Sequence, residues 1–244
     1  DPFNRKIMRN FPNETSVEAF DFAGTINYDF GNFMLTSVTS YDEYEYNILE
    51  DVDLGTIEIV DFFDHQKGKA FSQELRLASN GSEFIDWMTG LYYYNNKFRR
   101  GGGAKPMFTL LSTSALLGFG ADGDTGSLLA ATDSEHVSAF GNLSWRINEK
   151  FTLSGGLRYL YEEKDTSLGR EVDVAGFSFI TFAFLPPTIE GDIERDTDAV
   201  TWNITGQYDW TDEVMTYASV SSGFKSGGFN GGWGSAPLDG REFA

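Results

Sequence analysis

The chain of 244 residues carries two histidines and no cysteine, so the side chains that most often perform chemistry are scarce. Without thiolates there is no disulfide framework, no thiolate metal site and no cysteine nucleophile. His65 falls in an expected loop and His136 near the start of an expected strand. They form no pair at ligand spacing, which argues against a transition-metal site or a catalytic triad within this chain. Carboxylates crowd 42–64 and 190–198, but such clusters are far more often a solvated loop surface than paired catalytic acids. Asp122-Gly123-Asp124-Thr125-Gly126 matches the first half of a calcium loop. The distal Glu that completes such a loop is missing, so an acidic turn is expected, with weak divalent binding as the alternative. The glycines of 226–233 fit a tight loop better than a phosphate cradle, because no strand-to-helix context follows them. These residues nominate no catalytic, cofactor-binding or metal-binding position, and no enzymatic activity is expected.

Composition narrows the partners. Asp and Glu number 37 against 18 Lys and Arg, giving a net charge of −19 and a pI near 4.3. Nucleic acid is excluded as a partner, since binding phosphates needs a basic face. Length allows one all-β domain or two ordinary ones. Hydrophobic residues make up 41% and mean hydropathy is −0.30, and no apolar run reaches the ~18 to 20 residues of a membrane helix. An aromatic content of 16% with 27 glycines points to aromatic-rich β-structure with many turns. The chain opens at Asp1 without Met or an apolar leader; a processed or truncated product is the expectation, and the missing leader says nothing about export.

The elements that must position any site are strands. From Glu135 to Ile147 the odd positions are mostly apolar (Val137, Leu143, Trp145) and the even ones mainly polar (His136, Ser138, Asn142), the mark of a strand with two chemically different faces. The run from Phe151 keeps the rule after only Asn148-Glu149-Lys150, so the two form an antiparallel hairpin. The same unit recurs four times. Hairpin one pairs Val17–Phe30 with Asn32–Tyr46; hairpin two, Lys69–Ser79 with Phe84–Phe98; hairpin three, Ser134–Ile147 with Phe151–Glu163; hairpin four, Asp198–Trp210 with Glu213–Lys225. In the second of these eight strands Met34 and Val38 compete with Phe33 and Leu35, which leaves its facing undecided. All six prolines (Pro2, Pro12, Pro106, Pro186, Pro187, Pro237) fall outside the eight segments, as strand interiors require.

Links within hairpins are about two to five residues, whereas those between hairpins run to roughly 20 (Asn47–Gly68), 35 (Arg99–Asp133) and 34 (Lys164–Thr197). A sandwich has no reason to place every long loop at one end; transmembrane barrels do so, with tight periplasmic turns and long external loops. The fold class is therefore all-β, an antiparallel transmembrane β-barrel in contact with a lipid bilayer. Trp87, Trp145, Trp210, Phe30, Phe33, Phe84 and Phe151 sit near the short turns, and Tyr44, Tyr46, Tyr92 to Tyr94, Tyr159 and Tyr161 near the long-loop ends. They read as two interfacial belts, the alternative being core aromatics of a soluble sheet. Inward candidates are Glu74, Arg76, Arg146, Arg158, Glu162 and Lys225. Charges of both signs favour a wide polar interior or a separate polar plug; a solvated face of an open sheet would look the same over one hairpin.

Three stretches resemble a known family. Phe71-Ser72-Gln73-Glu74-Leu75-Arg76-Leu77-Ala78-Ser79 followed by Trp87-Met88-Thr89-Gly90-Leu91-Tyr92-Tyr93-Tyr94, then Gly156-Leu157-Arg158-Tyr159, then Tyr217-Ala218-Ser219-Val220-Ser221-Ser222-Gly223-Phe224-Lys225-Ser226-Gly227-Gly228-Phe229-Asn230, are similar to strands of TonB-dependent receptors. The resemblance implies an outer-membrane barrel of about 22 strands closed by an N-terminal plug, with these residues supplying about eight. It implies import of a scarce nutrient (ferric siderophore, haem, cobalamin or oligosaccharide) bound at extracellular loops, driven by the TonB complex of the inner membrane acting through the plug. No plug, TonB box or closing strands are visible, so 1–244 is expected to be an inner portion of the barrel domain. A passive outer-membrane porin and a soluble extracellular β-sheet binding module are the alternatives.

Two apolar stretches lie inside long loops, 107–119 and 172–185, the second carrying Phe177, Phe179, Ile180, Phe182, Phe184 and Leu185. External loops rarely expose so much apolar surface without a use. Either they pack on each other or prolong the strands as a stiff rim, or they form an apolar vestibule for ligand or a docking patch for a surface partner.

Overall fold

The structure, a computed structural model, describes residues 13–52, 56–103, 105–180 and 191–229, with the backbone of 242–243. Eight long strands follow one another as β1 (Glu14–Asp29), β2 (Phe33–Asp51), β3 (Val60–Ser79), β4 (Ile85–Arg100), β6 (Thr125–Arg146), β7 (Phe151–Asp173), β8 (Gly191–Asp209) and β9 (Met215–Ser222). Between β4 and β6 lie the short β5 (Phe108–Leu110) and α1 (Ser112–Leu116), and β10 (Gly228–Phe229) pairs with β11 (Glu242–Phe243). The long strands form a single antiparallel meander in chain order, with β5 bridging β3 and β6 above the end of β4. No helix among the described residues is long and apolar enough to cross a membrane; the crossing elements are strands. Of the prolines, Pro106 lies outside the strands and the other five lie outside the described residues.

Register assigns every side chain to a face, because directly paired residues project from the same side of a sheet. One face carries Leu75, Leu91, Val137, Leu143, Trp145, Leu157, Val200, Ile204 and Val220, all exposed. The other carries Glu74, Arg76, Asn142, Arg158, Glu162 and Asn203. Pairing settles β2: Leu35 opposes Leu77 and Tyr41 opposes Phe71, so Phe33 and Leu35 belong to the apolar face while Met34 and Val38 turn to the polar one. Phe33 and Trp87 confirm this, their rings 5.8 Å apart across β3. The buried residues Ser134, Ser138, Leu160, Thr166 and Leu168 all lie on the polar face, which is what inward curvature does to the inner side of a sheet. An apolar outer face of this extent has no place in water and is the surface a bilayer covers.

The tight-turn belt stands as expected at Phe33, Phe84, Trp145 and Trp210. The second belt needs correction. Tyr41, Tyr93, Tyr159 and Tyr161 share the apolar face with Phe71, but Tyr44, Tyr46, Tyr92 and Tyr94 share the polar one. Adjacent tyrosines on a strand must point to opposite sides, so proximity in sequence to a rim is not membership of its belt.

The long-loop ends differ from expectation too. β3 begins at Val60 rather than near Lys69, β6 at Thr125 rather than Ser134, and β7 runs to Asp173 rather than Glu163. Much of each expected loop is therefore strand, but the apolar stretches 107–119 and, as far as it is described, 172–185 lie mostly outside these extensions and pack on each other. Above the tyrosine belt the outer face is a band of charge, Glu43–Lys69 at 2.8 Å and Glu45–Lys67 at 2.9 Å on one side. On β6 to β8 the band is acidic, Glu135, Glu163 and Asp196 standing in one row. Asp196 beside it, with burial and the flanking acids, holds the Glu163 carboxyl above the usual range.

Candidate functional site

The polar face carries a cluster of charged and aromatic side chains centred on Arg158. Arg158 places its guanidinium 5.5 Å from the Tyr92 ring centre and 5.8 Å from that of Phe140, within reach of cation–π attraction. Its Nη2 donates to Ser138 Oγ at 2.8 Å. His136 meets Tyr92 edge-on at 5.7 Å. Arg76 Nε lies 2.9 Å from Glu74 Oε1, two residues along the same strand, at an angle too bent for a hydrogen bond. Beneath these side chains Arg76, Arg158, Asn142, Asn203, Thr201 and Ser221 line a recess of about 410 Å³. The buried His136 Nε2 and Arg158 Nε have no hydrogen-bond partner among the described residues.

Glycine makes the close packing of this wall feasible. A Cβ on Gly90 would stand 2.5 Å from Phe140 Cζ and 2.7 Å from the Leu75 carbonyl oxygen. Phe140 lies across that bare backbone and reaches Arg158. Nearer the outer end Lys164 pairs with Glu162 at 2.8 Å and donates to Ser226 Oγ at 2.8 Å and to the Gly227 carbonyl at 2.9 Å. The segment after β9 thus leaves the ladder and lies over β7 on the polar face.

Above the wall the loops build a small core. Met107, Leu110, Leu128 and Ile180 are buried together, with Val60, Phe62, Phe108 and Val174 packed against them. Phe62, Phe108, Leu110 and Leu128 stand in register on the polar side, so this core sits on the inner face at the outer mouth. The Leu111 amide donates to the Ile59 carbonyl at 2.9 Å, and Phe179 N–H donates to the Phe119 carbonyl. Arg100 clamps Asp64 through Nε and Nη2 at 2.9 and 3.0 Å. Outward from the core Leu116 is 85% and Phe177 84% exposed, with Phe119 and Phe179 meeting edge-on at 6.1 Å.

The nominated calcium half-loop has another role. Asp124 is buried; its Oδ2 accepts from the Ala121 amide at 2.8 Å and its Oδ1 from the Ala175 amide at 2.9 Å. Burial pushes its pKa up, but the Ala175 amide, the nearby Ser178 hydroxyl and the Ala121 amide outweigh it and hold the carboxyl below its usual range. Asp124 is a clamp between the two apolar loops, an acidic turn with a structural purpose.

Of the remaining sequence candidates, His65 lies in β3 rather than a loop, its Nδ1 2.7 Å from Asn47 Oδ1. Glu74, Arg76, Arg158 and Glu162 share the polar wall as expected; Arg146 has the same facing but is held at the tight-turn rim by Asp86 at 2.7 Å and the Glu83 carbonyl at 2.8 Å. Lys225 does not: β9 ends at Ser222 and Lys225 is exposed beyond it. Phe182, Phe184 and Leu185 lie outside the described residues. Sequence reasoning missed Lys164, Asp124 as a clamp, and the partners Val60, Phe62 and Leu128. Only the parity of Lys164 with Glu162 carried a signal for any of them. Among the described residues no group of three or more His, Asp or Glu side chains is placed to hold a metal ion.

A meander with an apolar aromatic-belted outer face, a polar inner wall and loops folded inward at one mouth defines the wall of a transmembrane β-barrel. Residues 4–241 match the β-barrel of the TonB-dependent receptor-like family, and the chain belongs to that family. It is 24% identical over 161 residues to the pesticin receptors of Yersinia enterocolitica and Yersinia pestis, an alignment spanning 65% of this chain and 20% of each relative. Among solved structures the ferric yersiniabactin uptake receptor FyuA of Yersinia pestis has the same fold, with a TM-score of 0.65 at 17% identity over 89% of this chain and 29% of that one. The siderophore receptor PiuA of Acinetobacter baumannii matches with a TM-score of 0.55 at 16% identity over 91% of this chain and 34% of that one. The chain thus spans about a third or less of each.

Proposed function

We propose that this chain is part of the barrel of an outer-membrane receptor that imports a ferric siderophore, using energy relayed by TonB through a plug held in the lumen. The observation that carries the reading is the loop core on the inner face at the mouth. It directs Phe119, Phe177 and Phe179 towards incoming ligand instead of leaving the loops loose. The polar wall below, where Arg76, Arg158, Asn142, Thr201, Asn203 and Ser221 line the recess, offers the hydrogen-bonding and cationic surface that a plug or a passing polar ligand needs. The likeness to the ferric yersiniabactin uptake receptor FyuA and to the siderophore receptor PiuA supports an iron chelate over haem, cobalamin or a glycan. The reading takes residues 1–244 as one stretch of a barrel of about 22 strands.

Cells lacking the native gene and carrying either wild type or Phe177→Ser with Phe179→Ser would be supplied with a panel of ferric siderophores that includes ferric yersiniabactin. The variant should lose at least tenfold in the uptake rate for one of them while retaining heat-modifiable mobility, the sign of an assembled barrel. Equal uptake by both, or no uptake of any chelate by the wild type, would overturn the proposal.

A further inference from the structure

We propose that the open edge of β8 above the tyrosine belt is a docking site for an extended cationic polypeptide segment, which joins the wall as a further strand with Lys or Arg at alternate positions. The inference goes beyond the uptake reading and holds whatever the cargo is.

The edge arises because neighbouring strands differ in length. β8 has 19 residues and β9 only 8. β7 pairs with β8 from Gly191 to Tyr208, whereas β9 reaches only Trp202, which stands opposite Ser222. The chain that would prolong β9 is drawn off the ladder to the polar face, where Lys164 holds Ser226 and the Gly227 carbonyl. From Gly191 to Thr201, about 35 Å at the rise of a strand, β8 therefore has a strand neighbour on one side only among the described residues. Tyr161 of the outer belt is paired with Asp198, so this stretch begins at the belt and rises into water. A strand with one open side offers backbone N–H and C=O groups as a template for another chain.

The side chains along the edge specify what fits it. Asp192, Glu194, Asp196 and Asp198 occupy alternate positions of β8, all on the outer face and all exposed. Arg195 turns to the inner face, where its Nε donates to Thr197 Oγ1 at 3.3 Å. Behind the edge Glu163 stands in register between Asp196 and Glu135, and Asp165 between Glu194 and Asp133. Asp133 is paired with Arg99. Among the described residues no Lys, Arg or His nitrogen lies within 4 Å of the carboxylates of Glu135, Glu163, Asp165, Glu194, Asp196 or Asp198. Like charges set opposite one another destabilise a sheet, and here they accumulate towards the side that lacks a neighbour.

A second copy of this chain is the wrong occupant, because edge-to-edge pairing would set the same carboxylates against one another. A neutral strand would complete the ladder and leave the acids uncompensated. A segment with Lys or Arg at every second residue does both: its backbone continues the antiparallel hydrogen bonding, and its cations fall on the outer side beside Asp192, Glu194, Asp196 and Asp198, where opposite charges across strands stabilise pairing.

The test uses the whole receptor purified from outer membranes in a mild detergent, with synthetic peptides of equal length as probes. One alternates Lys with Thr, a second carries the same charge with Pro in place of Thr and cannot continue a ladder, and a third alternates Glu with Thr. Binding is read by fluorescence anisotropy and by hydrogen–deuterium exchange over 191–201. In the free receptor the amides that face the open edge should exchange at near-solvent rates, and the Lys–Thr peptide should slow them at least tenfold. The Lys–Pro peptide should bind at least tenfold more weakly, and the Glu–Thr peptide not measurably. Asp192→Asn, Glu194→Gln, Asp196→Asn and Asp198→Asn combined should cost at least tenfold in affinity for the Lys–Thr peptide while heat-modifiable mobility stays normal. Slow exchange of every amide of 191–201 in the free receptor would mean an edge already covered, and overturns the proposal. Equal binding of the Lys–Thr and Lys–Pro peptides would mean charge attraction only, and wild-type affinity in the combined variant would remove the role of the acids; either overturns it as well. A receptor that takes up a ferric siderophore but binds no peptide removes this inference alone, whereas one that binds the Lys–Thr peptide but takes up no chelate removes the uptake reading alone.

Discussion

Replacing Ile180 by Ala tests whether the inward-folded loops are held by their own core. Ile180 is 2% exposed and closes a cluster with Met107, Leu110 and Leu128. Truncating a buried Ile removes its transfer energy and leaves a cavity, about 2 to 4 kcal/mol in packed cores. The transmembrane ladder is separate from this cluster, so the loss should fall on local opening of the loops and not on the barrel. At 1.4 kcal/mol per tenfold, amides opening with the loops should lose about 30- to 700-fold of protection. Those of Leu110, Leu111 and Phe179, which donate to Asp124, Ile59 and Phe119 carbonyls, are the natural reporters. Hydrogen–deuterium exchange of the protein in micelles, read on peptides covering 107–124 and 174–180, would measure it, with 137–146 as the internal control. Unchanged exchange in the loops, or equal acceleration in the control, would refute the argument that the loops form an independent packed unit.

Asp124 makes the same loops sensitive to acid. Its folded-state pKa is lowered, so its contribution is fully present above the unfolded carboxyl value of about 3.9 and is lost as pH falls through the folded one. Loop protection should therefore hold from neutrality to about pH 4 and drop below that, and Asp124→Asn should weaken it at neutral pH and abolish this part of its pH dependence; a flat profile in the wild type counts against the clamp. Gly90→Ala should lower the yield of assembled barrel, because the new methyl meets Phe140 and the Leu75 carbonyl, at a cost of about 1 to 3 kcal/mol. Gly141→Ala, whose nearest neighbour would be 3.6 Å away, should be tolerated, and equal yields would show that Phe140 yields freely. Lys164→Met should free the segment around Ser226, which a spin label at Lys225→Cys would report as faster motion; the chain has no native cysteine to confuse the label.

All eight long strands were legible at their tight-turn ends, where hydrocarbon outside and polar groups inside enforce alternation. The reading failed where that constraint stops. Above the tyrosine belt water wets the outer side, so Glu43, Lys67, Asp133 and Glu163 replace apolar residues, and the hydropathy pattern ends although the backbone ladder runs on. In β2 the facing of Phe33 and Met34 was decided by pairing with β3, information that no single strand contains. The apolar stretches 107–119 and 172–185 announced a purpose, but their partners Val60, Phe62 and Leu128 come from strands far away in the chain. Asp124 was visible only as an acid; its amide donors depend on how two loops meet.

The length of the strands beyond the belt sets how far the loop core stands above the apolar band. From Tyr161 to Asp173 β7 continues for about 12 residues, roughly 40 Å of strand or some 28 Å of height at a 45° tilt. In the proposed receptor a parapet of that elevation would lift the loop core clear of the phosphate layer, so that molecules arriving from the medium would meet protein before they meet lipid.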